Sequence, residues 1–599
     1  MCGLVAFLRF GSGDSGMDRD AVMAARDHMR SRGPDGEGLW QDESGRLTLG
    51  HRRLAIRDLA ETGAQPMRDP VTGSVIVFNG ELYDLAEERE ALEDRGASLR
   101  GTSDTEVLLR RFRERGPEVF RKLRGMYAVV LWDAPARRLV VARDPYGIKP
   151  LYIAKTGGGF WLASQVRPLV KAPGVRTGPE PAGHVGFLLF GHVPDPWTLY
   201  EGIQAVPAGA CLEIDSEGNA RTLFVRDVLD PLRSQLGGMA RRSGDPVASC
   251  VRSSVEAHLA SDVPVGVFLS AGVDSAVIAT AAAQASADVR TFTMGFGLYR
   301  GTQDDEVPGA EATAQALGTR HTTAWLERED VAGVLHQLLA DMDQPTLDGV
   351  NTWFVSRAAA ASGLKVALSG LGGDELFAGY PSFGSVPRAA RSLRLVRRIP
   401  GLGRGLRALV QPLTGRRLSP KWAAVPELAG TWWGAYVLRR GLFLPHELPD
   451  LLAPDMVRLG WERVALPQRI ESTIQGIDSD HARVVALEST WYMRHQLLRD
   501  ADWAGMAHGV EIRVPLVDAT LLQQLAPNLV ASPPPTKDVL RPITSGALPD
   551  GLFARRKTGF RVPLREWLAP GEQGGPTQGR SGHGLRGWAR LVYDALKRR

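Results

Sequence analysis

The second residue, Cys2, is the first candidate for chemistry in this chain. We expect the initiator methionine to be removed because a small residue follows it, so that Cys2 carries both a thiol and a free α-amine. An α-amine with a pKa of roughly 7.7 to 8.0 is well suited to take the thiol proton near neutral pH. The residue then supplies a nucleophile and its own base. Most cysteines at this position have no catalytic role, so the interpretation depends on the rest of the domain.

A second candidate site follows the apolar stretch VPVGVFLS at 263–270. The turn SAGVDS at 270–275 comes next, and a helix is predicted from about Ala276. Unpaired N–H groups and the helix dipole converge on a ligand at such a junction, which favours an anion. The loop has no G-K-[ST] ending, so the usual kinase and GTPase interpretation fails. A serine-rich helix cap without a ligand is the alternative.

The stretch ALSGLGGDELFAGY at 367–380 is a third candidate. Its strand ends at Ser369, glycines form the turn, and the adjacent carboxylates Asp374 and Glu375 follow. Glycines let the backbone approach a ligand closely. Leu371 is the unusual residue, because a polar catalytic side chain would be expected in this turn.

The elements that must position these residues change character along the chain. Up to about residue 225 short strands are broken by Gly and Pro turns, and 126–144 has the pattern of a hairpin. From about 245 strands alternate with alanine-rich helical segments, which predicts a parallel, covered sheet. We therefore predict one domain at 1–225, a linker at 226–244, an α/β domain at 245–570, and a flexible spacer with a short basic helix at 571–599.

The composition limits the class of protein. With 599 residues, 44% hydrophobic and 23% charged, the chain is typical of globular proteins with more than one domain. We expect no membrane span, because no apolar run reaches about 18 residues. The first ten residues lack the features of a secretory signal, so we expect a cytoplasmic protein. Cys2, Cys211 and Cys250 are too dispersed to suggest a disulfide framework or a metal knuckle.

The positive charge is local, because residues 388–417 hold nine arginines and no acidic residue. Anionic membranes or nucleic acids can bind such segments. The favoured interpretation is the arginine-coated, solvent-facing side of a helical hairpin. We expect no nucleic-acid partner, and peripheral membrane contact through 388–417 stays open.

Further segments in the first half give Cys2 a context. In order they are RGPDGEG (32–38), GHRRLAIRD (50–58), FNGELYD (78–84), TSDTEV (102–107) and RDPYGIKPLY (143–152). With Cys2 they resemble the class II glutamine amidotransferase domain, in the order of the asparagine synthetase family. The resemblance implies an α+β N-terminal nucleophile fold with αββα layers and stacked antiparallel sheets.

A glutaminase needs a thiolate, oxyanion donors, a cation for the substrate carboxylate and an anion for its ammonium. The resemblance assigns attack to Cys2 and the oxyanion hole to the Asn79 side chain and the Gly80 N–H. It assigns glutamine binding to Arg53, Asn79, Gly80, Glu81 and Asp104. Arg53 suits a carboxylate and Asp104 suits an ammonium group.

In the second half, the SAGVDS turn resembles the S-G-G-x-D-S pyrophosphate loop of ATP-pyrophosphatase-type synthetases, with Ala271 in place of the first glycine. A methyl group there costs little if φ is negative. The resemblance implies ATP contacts from Leu269, Ser270, Gly272, Asp274, Ser275, Met294, Ser369, Gly370 and Lys557. It places Mg²⁺ on Asp274 and Asp374. Lys537 is the less favoured alternative to Lys557, and Glu511, Arg513 and Asp518 are interpreted as structural and interface residues.

The resemblance runs from Cys2 to about Trp567 and implies an ATP-dependent, glutamine-hydrolysing amidotransferase. Ammonia from glutamine would pass inside the protein and convert an acyl-adenylate to an amide. The acceptor would be aspartate or another carboxylate, for example in surface polysaccharide or secondary metabolite synthesis. Typical members read S-G-E-G where this chain has Leu371. We therefore predict that ATP activation survives but that the acceptor pocket differs.

Two other functions are considered. An adenylating cyclase related to β-lactam synthetase would have no use for the glutamine-binding residues. A non-catalytic interaction protein on a synthetase scaffold would not need an intact SAGVDS loop and Asp374. The expected partners are glutamine, ATP with Mg²⁺ and a carboxylate acceptor; a homodimer is left open.

Cys2→Ala should abolish the use of glutamine and spare the use of added ammonium, because the variant loses only the nucleophile of the first site. Pyrophosphate and glutamate release, followed together, measure this. Loss of both nitrogen sources would refute the two-site interpretation.

Overall fold

The computed structural model describes residues 2–10, 15–83, 85–234, 247–393, 399, 401–413, 421–548, 550–554, 563 and 584–597. Within this part of the chain the first half holds two antiparallel sheets and the second half holds one parallel sheet. The fold class predicted from the sequence is confirmed in both halves.

The two sheets of the first half have six strands each. Their strands are β1 Gly3–Arg9, β2 Gly36–Gln41, β3 Leu47–Arg53, β4 Met67–Arg68, β5 Val75–Leu82, β6 Gly125–Asp133, β7 Arg138–Arg143, β8 Tyr152–Lys155, β9 Gly159–Ala163, β10 Gln204–Ala205, β11 Ala210–Asp215 and β12 Ala220–Val225. One sheet has the order β10-β8-β9-β1-β3-β2 and the other β12-β11-β7-β6-β5-β4. The hairpin predicted at 126–144 is β6 and β7.

Helices cover both outer faces of this pair of sheets. The helices of the first half are α1 Ser15–His28, α2 Leu85–Glu93, α3 Asp104–Arg115, α4 Val166–Val170 and α5 Pro181–Phe190. Apolar residues from both sheets, such as Leu4 and Val77, form a core between them, while Phe78 packs with Leu108 of α3 on the outside. Because side chains alternate along a strand, Val77, Asn79 and Glu81 of β5 share the face between the sheets.

The parallel sheet of the second half has the order β15-β14-β13-β16-β17. Its strands are β13 Val265–Phe268, β14 Arg290–Phe296, β15 Arg320–Leu326, β16 Val366–Leu368 and β17 Glu511–Arg513. Strands and helices alternate as predicted. The α8 helix begins at Val273 rather than near Ala276, because Gly272 already has the extended backbone of a helix cap. This earlier start places Asp274 in the first turn.

The remaining helices form a large layer around this sheet. They are α6 Asp230–Arg233, α7 Val247–His258, α8 Val273–Ala285, α9 Val307–Leu317, α10 Arg328–Ala332, α11 Leu335–Asp341, α12 Val350–Ala361, α13 Gly373–Leu376, α14 Ser382–Arg391, α15 Leu402–Val410, α16 Lys421–Leu428, α17 Trp432–Arg440, α18 Pro454–Val464, α19 Leu466–Ile474, α20 Asp480–Leu487, the π-helix Glu488–Leu498, α21 Arg499–Met506, α22 Ala519–Val530, α23 Arg541–Thr544 and the C-terminal helix Leu585–Leu596. Helix α5, although it belongs to the first half by sequence, packs its Val185 and Leu188 into the core of this helical layer.

Buried ion pairs join the two halves. Arg32 donates two hydrogen bonds to Asp502, at 2.7 and 3.0 Å, and both side chains are buried. Arg124 donates to Asp518 at 2.6 Å. The contact of Asp518 confirms its predicted interface role.

In the described part of segment 388–417, residues 388–391 end helix α14, and Leu402–Val410 form helix α15, which packs against α16. Arg407 donates to Glu427 of α16 at 2.6 Å, and Gly403 lies against the backbone of Pro426. This packing is compatible with the helical hairpin that the sequence favoured, which stays a prediction because residues 414–420, between α15 and α16, lie outside the described residues. Residues 394–398, 400 and 414–417 of this segment, most of the predicted linker (235–244) and the spacer at 571–583 lie outside the described residues. None of the described helices has the length and apolarity needed to cross a bilayer.

Candidate active sites

The first site forms where the start of β1 meets the end of β5. The backbone nitrogen of Cys2 donates a hydrogen bond to Asn79 Oδ1 at 2.9 Å. Arg32 Nε donates to the Cys2 carbonyl at 3.1 Å, so the buried pair between Arg32 and Asp502 also holds the backbone of the nucleophile. The structure thus brings together Cys2 and Asn79, which lie far apart in the sequence.

The side-chain amide of Asn79 is the candidate oxyanion donor beside Cys2. Its Oδ1 is used by Cys2, while its Nδ2 is buried and has no hydrogen-bond partner among the described residues. Burying an unsatisfied donor costs free energy unless a ligand completes it. Gly80 follows in the same strand, and a Cβ there would lie 2.1 Å from the Met126 carbonyl oxygen, so only glycine fits. A substrate oxygen near Cys2 would satisfy the Asn79 donor.

The thiol of Cys2 is buried, and burial raises its pKa. The backbone N–H of Leu54 and the guanidinium of Arg53 act in the opposite direction. Arg53 itself is half-buried at the end of β3, where it donates to the Ala60 carbonyl at 2.8 Å and contacts the Asp58 carbonyl. Among the described residues no carboxylate forms an ion pair with Arg53, so its charge is available to a substrate carboxylate.

Two buried carboxyl groups lie beside this site. Asp104 begins α3 and accepts a hydrogen bond from the Leu82 N–H at 3.1 Å. Burial raises the pKa of Asp104. Burial also raises the pKa of Glu81 to about 8; the positive charge of Arg513 opposes this rise, and the negative charges of Glu511 and Asp104 add to it. An ammonium group entering the site would therefore meet carboxyl groups that are costly to ionise without a cation.

The second site is the turn between β13 and α8. Ser275 Oγ lies 2.9 Å from Ser270 Oγ and accepts a hydrogen bond from the Ser270 N–H at 3.1 Å, while Ser270 Oγ accepts from the Gly272 N–H. Ala271 has a negative φ, so the methyl group that replaces the usual glycine causes no backbone strain. The turn leads into the N-terminus of a 13-residue helix, which favours an anion.

The glycine turn after β16 packs directly on this loop. A Cβ at Gly370 would lie 3.0 Å from Asp274 Cβ, and one at Gly373 would lie 2.5 Å from Asp274 Oδ1. Gly372 has a φ of +99°, a conformation that favours glycine. The glycines therefore serve close contact between two backbone turns. Three other residues are also predicted to bind ATP. Met294 lies in β14, Leu269 directly follows β13 and Ser369 directly follows β16; Leu269 and Met294 are buried.

Asp274 and Asp374 converge on a single cation. Lys537 Nζ lies 2.6 Å from Asp274 Oδ2 and 2.6 Å from Asp374 Oδ1. The sequence favoured Lys557, which lies outside the described residues. Lys537 is thus the lysine that the structure places here; the only sequence signal for it was a lone lysine in PTKDVLR.

The same geometry fits Mg²⁺, because two carboxylates that meet on one positive charge can share a divalent ion with phosphate oxygens. Among the described residues no group of three or more His, Cys, Asp or Glu side chains forms a complete metal cluster. A magnesium ion here would take its other ligands from ATP and water. It would offset the charge of the phosphate oxygens.

Comparison with known proteins matches each half of the chain to a family model. The family model for the glutamine amidotransferase domain matches residues 1–225, and the family model for asparagine synthase matches residues 247–574. Asparagine synthetase 1 (glutamine-hydrolyzing) of Bacillus subtilis is 31% identical, over 95% of this chain and 88% of that protein. The chain belongs to the glutamine-hydrolysing asparagine synthetase family.

Relatives of lower sequence identity include a further asparagine synthetase and a protein named as an amidase. Asparagine synthetase 3 (glutamine-hydrolyzing) of Bacillus subtilis is 25% identical over 94% of this chain and 87% of that protein. Amidase chry2 of Gibberella zeae is 28% identical over 64% of this chain and 60% of that protein. As a member of the asparagine synthetase family, the chain is a glutamine-hydrolysing carbon–nitrogen ligase.

In this synthetase Leu371 packs, half-buried, against an apolar cluster to which both halves contribute. The nearest carboxyl group along the chain beyond Asp374 is Glu375, which is buried and accepts a hydrogen bond from Tyr380 at 2.9 Å. Burial, with the negative charge of Asp374, raises the pKa of Glu375 to about 7. The turn therefore has the apolar Leu371 at its tip, while the carboxyl group of Glu375 lies in helix α13, which follows.

The raised pKa of Glu81 predicts a pH dependence of glutamine binding. In Cys2→Ala, which cannot hydrolyse glutamine, the affinity should rise by about fivefold or more between about pH 6 and pH 8, as Glu81 ionises to bind the α-ammonium. Calorimetric titration measures it. Cys2→Ala with Glu81→Gln should bind more weakly and lose most of this dependence. An unchanged dependence in the double variant would contradict the assignment of Glu81.

Lys537→Met should weaken MgATP binding by about 10- to 100-fold, because it removes a charge-assisted contact and leaves two facing carboxylates. Glutamate release from glutamine reports on the fold of the first site and should change less than about twofold. Lys557→Met is the comparison: a large loss there with full binding in Lys537→Met would support the lysine favoured by the sequence.

Proposed function

We propose that this ligase adenylates a carboxylate with MgATP and converts the acyl-adenylate to an amide with ammonia from glutamine. The observation that carries the proposal is the convergence of Asp274 and Asp374 on Lys537 beside the SAGVDS turn. The glutamine site beside Cys2 supports an external nitrogen donor and distinguishes this function from an internal cyclase.

At the first site the Cys2 thiolate attacks the amide carbon of glutamine. The oxyanion that forms accepts hydrogen bonds from Asn79 Nδ2 and the Gly80 N–H, which strengthen as negative charge develops. The α-amine of Cys2, which took the thiol proton, gives it to the nitrogen of the amide as this intermediate collapses, so the carbon–nitrogen bond breaks and ammonia leaves. Water then hydrolyses the thioester to glutamate and regenerates the thiol. Arg53 binds the substrate carboxylate, while Glu81 and Asp104 bind its ammonium.

At the second site an oxygen of the acceptor carboxylate attacks the α-phosphorus of ATP, and pyrophosphate leaves. Ser270, Gly272 and Ser275 bind pyrophosphate, and Lys537 moves from the carboxylates onto the phosphate oxygens. Asp274 and Asp374 would hold Mg²⁺, which would offset the charge of the phosphate oxygens. Ammonia then attacks the acyl carbon, AMP leaves, and the proton lost by nitrogen goes to the AMP phosphate or to a group on the acceptor.

The route for ammonia is supported by the packing between the sites. One continuous apolar cluster contains Leu54, whose backbone faces the Cys2 thiol, and Met126 and Ile148 of the first half. It also contains Leu269 and Leu368, which end the strands at the nucleotide turn. Ammonia that crosses such a region stays neutral, because an apolar surrounding disfavours ammonium.

We propose that the acceptor is a carboxylate other than free aspartate, because Leu371 can neither accept a proton nor bind a cation. General acid–base help is worth about 10² to 10⁴ in rate, so aspartate should be amidated slowly. Assays with glutamine, MgATP and either aspartate or a uronic acid measure glutamate and pyrophosphate together. Coupled, rapid release with aspartate would contradict this choice of acceptor. Glutamate release that ignores every carboxylate would contradict the synthetase function.

A further inference from the structure

Arg513 lies on the strand that joins the two halves. It ends β17 and is fully buried. In the parallel pairing of β16 with β17 it lies opposite Leu368, and its carbonyl accepts the Ser369 N–H at 2.8 Å. Its backbone therefore fixes the residue at which the nucleotide turn begins.

The side chain of Arg513 points to the other site. Its Nη1 donates to the carbonyls of His258 and Ala260, at 2.8 and 2.7 Å, at the end of α7. Its Nε donates to Glu511 Oε1 at 2.6 Å, and its Nη2 lies 3.4 Å from Glu81 Oε1 in the first half. One buried residue thus contacts a predicted ATP-binding residue through its backbone and a predicted glutamine-binding residue through its side chain.

The contact between Arg513 and Glu81 is incomplete. Arg513 Nη2 and Glu81 Oε2 are both buried, and among the described residues neither makes a hydrogen bond; Glu81 Oε2 has a long ion pair, 3.8 Å from Arg57 Nη1. Arg513 is anchored on the synthetase side by three shorter hydrogen bonds. Glu81 can consequently contact Arg513 and a substrate ammonium at the same time, because its contact with Arg513 leaves Oε2 able to accept a hydrogen bond.

The same strand also affects the nucleophile. Burial raises the pKa of the Cys2 thiol, and the negative charge of Glu511 adds to this rise. Glu511 lies opposite Val366 of β16 and is hydrogen-bonded to Arg513. A change in β17 would therefore alter the environment of both Glu81 and Cys2.

We infer that Arg513 is a positioning residue that couples the two active sites, with its guanidinium holding Glu81 and its carbonyl holding the Ser369 turn. This inference rests on the proposed function of the two sites. Glutamine draws the Glu81 carboxylate toward its ammonium group and so changes the contact between Glu81 and the Arg513 guanidinium. The turn that contacts ATP responds through the hydrogen bond between Ser369 and Arg513. By linkage, MgATP must change the affinity for glutamine by the same factor.

The coupling can be measured at equilibrium in the full chain carrying Cys2→Ala, which does not consume glutamine. Calorimetry gives the dissociation constant of glutamine with and without MgATP, and that of MgATP with and without glutamine. We expect both to change by the same factor, about fivefold or more. Arg513→Lys in this background keeps the charge beside Glu511 but cannot make the four contacts of the guanidinium. It should reduce the factor to less than about twofold while both ligands still bind.

Arg499→Lys is the matched control, because Arg499 is also a buried arginine that joins the halves, through Asp195 at 2.6 Å, and contacts neither site. It should keep the full coupling factor. If Arg513→Lys does not fold, Glu81→Gln removes the same contact from the other side and should also abolish the effect of MgATP on the remaining glutamine affinity.

The inference is overturned if the Cys2→Ala chain binds both ligands independently, or if Arg513→Lys keeps the coupling. An equal loss of the coupling factor in Arg513→Lys and Arg499→Lys would also overturn it, since it would indicate a general effect of the interface between the halves. Failure of MgATP or glutamine to bind at all is a separate result. It would refute the proposed function and the inference with it.

Discussion

The structure depends on charges that are buried between its two halves. Arg32 with Asp502, Arg499 with Asp195, and Arg513 with Glu81 are all largely removed from water. Removing one partner of such a pair typically costs about 3–5 kcal/mol, because the other charge is left buried and unpaired. Any sliding of one half over the other would break several of these pairs together. The halves are therefore held in one arrangement, and with them the distance and orientation of the two sites.

This constraint also acts on Cys2, the proposed nucleophile. Arg32, which pairs with Asp502 across the halves, also donates to the carbonyl of Cys2, so the position of the thiol depends on the interface. Asn79 accepts the hydrogen bond of the Cys2 nitrogen through its oxygen, and its buried nitrogen makes no hydrogen bond within the described part of the chain, as the proposed oxyanion hole requires. Preorganised donors of this kind need no rearrangement as charge develops in the transition state.

Much of this architecture could be predicted from the sequence. Strand alternation and glycine-rich turns indicated the two kinds of sheet, and short motifs placed Cys2, Asn79 and Asp374 in their sites. The prediction of the two kinds of sheet is confirmed, because the alternation of strands, turns and helices is a local property of the sequence. The roles of Cys2, Asn79 and Asp374 stay predictions, although the structure brings Cys2 next to Asn79 and brings Asp374 and Asp274 to one lysine. The sequence predicts the start of α8 three residues late, because Val273, Asp274 and Ser275 are assigned to the SAGVDS turn, whereas in the structure they begin the helix.

Contacts over long sequence distances could not be predicted in the same way. The choice between Lys537 and Lys557 depends on which long side chain reaches two carboxylates from another segment, and neither lysine carries a local signal for this. The contact of Arg513 with Glu81 likewise depends on β17 lying at the edge of the sheet, next to the first half. The sequence indicated an interface role for Arg513 but not its partner. Leu371 was recognised as a departure, and only the structure shows that it packs against the core.

The central claim is that one chain transfers nitrogen from glutamine to an activated carboxylate without releasing it. The most direct test supplies glutamine labelled with ¹⁵N in its side-chain amide, MgATP, an acceptor that supports pyrophosphate release, and an excess of unlabelled ammonium. Mass spectrometry of the product amide then identifies the source of nitrogen. The account predicts an amide that carries ¹⁵N despite the excess of unlabelled ammonium. An amide whose label is diluted in proportion to the free ammonium would contradict it.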